Sequence, residues 1–204
     1  MNIKEIIVYH GTTKNNANII YSTKYFKNSI GNNEYMGNGI YFYDNHINAL
    51  HMCIGKYIKA YKTIPTYKKL SEEYAIVSAV LKVNDNEILD MNSYAVKLKL
   101  YYLYKKIKDS MINVNDKQMN DGFYLNFISK NFPDFLKNYK VLKNTYNKEI
   151  VSQKLRKTKK VKSRIIYDIK QVYYNVIDSS CIFNINICEN NYEDEYNIIE
   201  NLYI

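Results

Sequence analysis

Tryptophan is absent from this 204-residue chain, and proline occurs twice, cysteine three times and glycine six times. So little proline, beside an apolar fraction of 47%, excludes a disordered chain and leaves a folded one. Cys53, Cys181 and Cys188 are an odd set without the paired spacing of metal ligands. That usage fits a reducing cytoplasm and no metal site, with Cys181 and Cys188 read as core thiols. No window approaches the roughly eighteen apolar residues of a membrane span, and the apolar run in "MNIKEIIVYHG" is too short for a signal peptide. The expected setting is therefore cytoplasmic, with no membrane partner. Carboxylates do not gather around a histidine, which argues against a nuclease. Twenty-three tyrosines accompany the missing tryptophan, with many Lys, Asn and Ile, a pattern that follows from nucleotide bias. A single tyrosine therefore carries little weight alone.

What is present begins with charge. The formal net charge is +9, but it is unevenly placed. The run "KLRKTKKVKSR" holds Lys154, Arg156, Lys157, Lys159, Lys160, Lys162 and Arg164 and no acid, whereas the tail "CENNYEDEYNIIE" is acidic. Such a block repels itself into an exposed loop. Its plain reading is a solvated arm; its sharper reading is a contact for the phosphates of RNA or DNA, or for an acidic partner protein.

The length suits one domain spanning residues 1–204. Ile6 to Tyr9 reads as a buried strand ending at His10-Gly11, and "TTKNNANIIYS" as a short helix with hydroxyl and Asn caps. Gly39 to Tyr43 reads as a second strand. Asp44 is a candidate N-cap for a helix in which Ile47, Leu50, Ile54 and Ile58 recur at helical spacing, through about Tyr61. In "EYAIVSAVLKV", Ala75, Val77, Ala79, Leu81 and Val83 share one strand face. Residues 94–150 read as a mainly helical insertion, broken at Pro133. After the basic loop at 154–164, "RIIYDI" and "QVYYNVI" return to strand chemistry, and "SSCIFNINI" adds another candidate. This order predicts an α+β fold, not a doubly wound sheet.

Two glycines stand one residue apart in "MGNGIYFYD". Glycine costs chain entropy, so the pair marks a turn through positive φ or a close approach. "IVYHGTT" lies about thirty residues upstream. Together, "YHGTT", "GNGIYFYD" and the helix opening "NHINALHMC" resemble the NAD-binding half of the ADP-ribosyltransferases related to poly(ADP-ribose) polymerase and diphtheria toxin. They are most similar to small bacterial mono-ADP-ribosyltransferase toxins. The resemblance covers the first sixty residues well, "AIVSAVLKVNDNEILD" fairly and the strand near residue 172 loosely; it implies a split β-sheet core.

By this resemblance, His10 donates a hydrogen bond to the ribose on the nicotinamide side of NAD, and Gly11 offers its backbone to the carboxamide, with Thr12 following. Tyr41 stacks on the nicotinamide, presented by Gly37 and Gly39, and His51 is the nearest candidate for a second stacking residue. His46 reads as the exposed start of that helix. Cleavage of NAD needs a ring clamp, a ribose anchor and a group facing the positive charge that develops on the sugar. Relatives place an acidic residue or Gln on a late strand for the last role, yet no Glu lies between Glu149 and Glu189. Gln171 is preferred for that position, with Tyr173 and, in another register, Ser163 as alternatives.

The resemblance implies a mono-ADP-ribosyltransferase with NAD as co-substrate and a macromolecular acceptor, with the basic run favouring RNA or DNA over protein. Elongation to a polymer is not expected without that Glu or a separate acceptor domain. Small members of the group serve as toxins, with or without a cognate antitoxin, or as phage-defence effectors. The alternative is a catalytically idle NAD- or ADP-ribose-binding module that docks on nucleic acid.

Overall fold

A computed structural model describes residues 2–31, 34–110, 120–151, 166–189 and 191–200. Chain order is β1 (Ile3–Thr13), α1 (Lys14–Thr23), β2 (Ile40–Tyr43), α2 (His46–Tyr61), α3 (Tyr67–Glu73), β3 (Tyr74–Asn84), β4 (Ile88–Asp90), α4 (Tyr94–Ser110), α5 (Asp121–Asn131), α6 (Pro133–Leu136), β5 (Val141–Val151), β6 (Ile166–Val176), β7 (Ile182–Ile187) and α7 (Glu193–Glu200). The fold is mixed, as expected, around a seven-stranded sheet of order β4-β5-β6-β2-β1-β3-β7. Among the described residues, only β4 and β5 run parallel. No helix among the described residues is long and apolar enough to cross a membrane.

The sheet is strongly curled. Only the 3-10 turn Asp85–Glu87 separates β3 from β4, which lie five strand steps apart in the sheet order. At about 4.8 Å per step, a flat sheet would put them far beyond the reach of three linking residues. Curling closes one apolar cluster in which Phe42, Val77, Leu81, Val141 and Val176 meet, with Ala17 and Ile20 of α1. The predicted face of β3, from Ala75 to Val83, belongs to this cluster. A second cluster buries residues of α2 to α7 against the other face, including Leu50, Ile54, Leu70, Leu100, Leu125, Leu136 and Tyr196.

The sheet is pinched between β1 and β2. β1 pairs with β3 along all eleven residues, but with β2 only through Tyr9 and Tyr43. The strands then part, and α2 packs across the opening with Ala49 and Cys53 against Gly11.

Several local expectations are corrected. Residues 141–151 are not helical: they form β5, because an eleven-pair ladder with β6 supplies backbone partners that outweigh local propensity. From Ile166 onward, the two stretches after the basic loop are one continuous strand, β6, held by β5 on one edge and β2 on the other. Pro133 does end α5, and it opens α6 at a position where its missing N–H costs nothing. The cap of α2 is Asn45, whose side chain accepts from the Asn48 N–H at 2.8 Å, while Asp44 Oδ1 accepts from the amides of Asn45 and Asn48. Ile47 is exposed, and the buried face of α2 centres on Ala49, Leu50, Cys53, Ile54 and Tyr57. His46 is not a bare surface residue: it stacks on Tyr192 at 5.0 Å and lies 3.3 Å from Glu195 Oε1. Cys53 and Cys181 are buried, whereas Cys188 is half-buried. The basic run 154–164, Ser163 included, lies outside the described residues.

Candidate functional site

Where β1 and β2 part, a cleft of about 250 Å³ opens. Its walls include His10 and Gly11 from β1, Gly39, Tyr41 and Tyr43 at β2, and Tyr173 from β6. A neighbouring lobe of about 390 Å³ shares Tyr35, Tyr43, Met52 and Tyr173 with it and adds His51, Gly55, Tyr146 and Gln171. Together the lobes fall within the usual range for small-molecule sites, about 300–1,000 Å³. The sequence-predicted residues His10, Gly11, Gly39 and Tyr41 thus meet in one lobe, and His51 and Gln171 in the next. Thr12 is buried, paired with Ala75, and lines neither lobe.

His10 bridges the split. Its Nδ1 lies 2.7 Å from the Tyr41 carbonyl oxygen. A carbonyl only accepts, so Nδ1 carries the proton and donates it. The ring sits edge-on to Phe26 and Phe42 at 5.6 and 5.8 Å. Burial drives its pKa down to about 4, against the hydrogen bond to Tyr41, with the Lys56 charge adding to the fall. At neutral pH the imidazole is therefore uncharged, and Nε2 carries a lone pair. In this tautomer Nε2 is an acceptor and Nδ1 the donor.

Gly11 is held by close packing. A Cβ there would lie 2.4 Å from the Ala49 carbonyl oxygen and 2.8 Å from Cys53 Sγ. Its own carbonyl accepts from Lys56 Nζ at 3.1 Å. In an extended strand the N–H and C=O of one residue point to the same edge, so both backbone groups of Gly11 face the opening. Burial pushes the Cys53 thiol up to about 12, so this sulfur is no nucleophile at neutral pH.

The glycine turn has a different keeper. Gly37 has φ +75° and Gly39 φ +154°, and a Cβ on Gly39 would lie 1.9 Å from Asn175 Oδ1. Asn175, fully buried on β6, donates from Nδ2 to the Met36 carbonyl at 2.7 Å. The Tyr41 hydroxyl folds back onto the same turn, accepting from the Met36 N–H at 2.8 Å and donating to the Gly37 carbonyl at 2.6 Å. Burial raises its pKa above the ordinary phenol value. Tyr41 is thus locked as a neutral ring against the turn that presents it.

On the far wall, Gln171 is buried, and its Oε1 accepts from the Tyr173 hydroxyl at 2.9 Å. The rings of Tyr43 and Tyr173 lie 4.8 Å apart, and those of Tyr146 and Tyr35 lie 5.3 and 5.8 Å from Tyr173. Tyr173 lines both lobes and Gln171 only the second, so Tyr173 stands nearer His10 and Tyr41.

Sequence reasoning missed Lys27, Glu34, Tyr35, Tyr43, Met52 and Lys56. One of these was legible: Tyr43 shares a strand face with Tyr41.

Comparison with known proteins adds little beyond one distant likeness. No family model matches the chain. An uncharacterized protein of Methanocaldococcus jannaschii is 30% identical over 135 residues, covering 64% of this chain. The matched stretch makes up 59% of that protein's length. No solved structure matches.

Proposed function

We propose that the chain is a mono-ADP-ribosyltransferase that cleaves the nicotinamide–ribose bond of NAD and transfers ADP-ribose to a macromolecule. The observation that carries this reading is the meeting of His10, Gly11 and Tyr41 in one cleft at the β1–β2 split. The residues suit such a co-substrate. Tyr41 and its neighbours offer aromatic faces to a flat pyridinium. The Gly11 backbone matches a carboxamide once Lys56 yields its carbonyl. His10 Nε2 accepts from a ribose hydroxyl, and Lys27 and Lys56 bring positive charge to the cleft wall for a diphosphate.

Cleavage moves the C1′–N bonding pair onto the nicotinamide nitrogen and leaves an oxocarbenium-like ribose. The acceptor's lone pair then forms the new bond at C1′, and the acceptor releases a proton. The pyridinium leaves without acid assistance, so a neutral His10 is adequate.

One observation favours the second reading, an idle NAD-binding module: Gln171, the residue preferred for the late-strand role, is neutral and already hydrogen-bonded. Labelled NAD incubated with the protein and total cell extract separates the two. Covalent label removed by nuclease identifies a nucleic-acid acceptor, and label removed by protease a protein acceptor. No label together with measurable NAD binding identifies the idle module.

A further inference from the structure

We infer that Glu34, on the loop before the glycine turn, supplies the negative charge that faces the reacting ribose, a role for which β6 offers no glutamate. The inference rests on the transferase reading and names its missing group.

Among the described residues, Glu34 is the only acid lining either lobe of the cleft. It shares the first lobe with His10, Gly11 and Tyr41. Its charge reaches the reacting corner, since it helps to raise the Tyr41 phenol pKa, after burial. The carboxylate is half-buried and makes no ion pair or hydrogen bond among the described residues.

A loop residue serves only if the loop is held, and this one is held from two elements. Gly122 of α5 packs so closely that a Cβ there would lie 1.6 Å from the Glu34 carbonyl oxygen. Asn126 of the same helix donates to the Gly31 carbonyl at 3.0 Å and accepts from the Asn38 N–H at 2.7 Å. From β5, the Tyr146 hydroxyl donates to the Tyr35 carbonyl at 3.2 Å. The helical insertion thereby acquires a purpose: α5 and the strand after it fix the backbone on both sides of Glu34.

In the reaction, the Glu34 carboxylate faces C1′ as the bonding pair departs with nicotinamide. It then takes the proton of the attacking water or acceptor hydroxyl and passes it to solvent, so charge and atoms balance. A preorganised charge of this kind is worth about a hundredfold or more in rate.

The test measures nicotinamide release and NAD affinity for wild type and the near-isosteric Glu34→Gln, with melting temperatures as a check on folding. The expected result is a fall in kcat of about a hundredfold, with the NAD dissociation constant held within about twofold and the melting temperature unchanged. Nicotinamide release by Glu34→Gln at the wild-type rate overturns the inference and leaves the transferase reading intact. So does a loss explained entirely by weaker NAD binding, which makes Glu34 a binding residue. A wild type that binds NAD and releases no nicotinamide, with total cell extract present to supply the acceptor, overturns both.

Discussion

The His10 imidazole donates from Nδ1 to the Tyr41 carbonyl at 2.7 Å, across the point where β1 and β2 separate. The split leaves that carbonyl without a strand partner, and a buried backbone acceptor must be satisfied. One side chain therefore closes the sheet defect while lining the cleft beside it, so one protonation state serves the closure of the sheet.

Acid should expose this link. The folded pKa of His10 lies at about 4, below the ordinary 6.5, so between those values the unfolded chain binds more protons and stability rises with pH. The contribution is fully present above pH 6.5 and lost as pH falls to about 4, with a limiting slope of about 1.4 kcal/mol per pH unit. Denaturation midpoints measured from pH 7 to pH 4 should fall, and His10→Gln should flatten that part of the profile.

Lys56 tunes the same ring. Its charge is one of the causes that lower the His10 pKa, and its Nζ holds the Gly11 carbonyl. Lys56→Met keeps an apolar stem of similar length while removing the cation. The His10 titration followed by NMR should move upward in this variant; an unchanged titration would show that the ammonium is too well solvated to act on the ring.

The glycine turn should reject any side chain at position 39. A methyl there meets Asn175 Oδ1 at 1.9 Å, on a backbone at φ +154°. Gly39→Ala should cost about 1–3 kcal/mol in chemical denaturation. The cost should be smaller in the Asn175→Ala background, where the clash is gone, so the two substitutions should not add.

Tyr41→Phe separates ring from hydroxyl. The ring stays available to a ligand, but the Met36 N–H and the Gly37 carbonyl lose their partner. Stability should drop by about 1–3 kcal/mol. NAD affinity measured by calorimetry should weaken less than in Tyr41→Ala, which removes the aromatic face too.

How much of this was legible in the residues varies with the range of the cause. The turn at Gly37 and Gly39, the face of β3 and the extent of α2 follow from local sterics and periodicity, and the sequence displays them. β5 was hidden, because nothing within Val141–Val151 outweighs its helical surroundings until β6 offers a ladder. The tautomer of His10 was equally hidden, since it is set by a carbonyl 31 residues away. Glu34 was passed over because its place in the cleft is set by Gly122 and Asn126, nearly ninety residues downstream, and no periodicity within the loop reports that contact.

The late strand offers the sharpest trade between stability and chemistry. Gln171 is buried and receives the Tyr173 hydroxyl on Oε1. Gln171→Glu preserves that acceptor and nearly the same volume, but it places an ionisable group where burial favours the neutral form. The folded pKa of the new carboxyl should therefore lie above its unfolded value of about 4.3. Its penalty is absent while both states stay protonated and grows as pH rises. The melting temperature of the variant should approach that of wild type near pH 4 and fall clearly below it at pH 8. At pH 8 the ionised carboxylate would add negative charge to the second lobe, so nicotinamide release at saturating NAD should quicken as stability falls. A variant that melts like wild type at every pH would mean that solvent reaches position 171, contrary to its burial beside Tyr173.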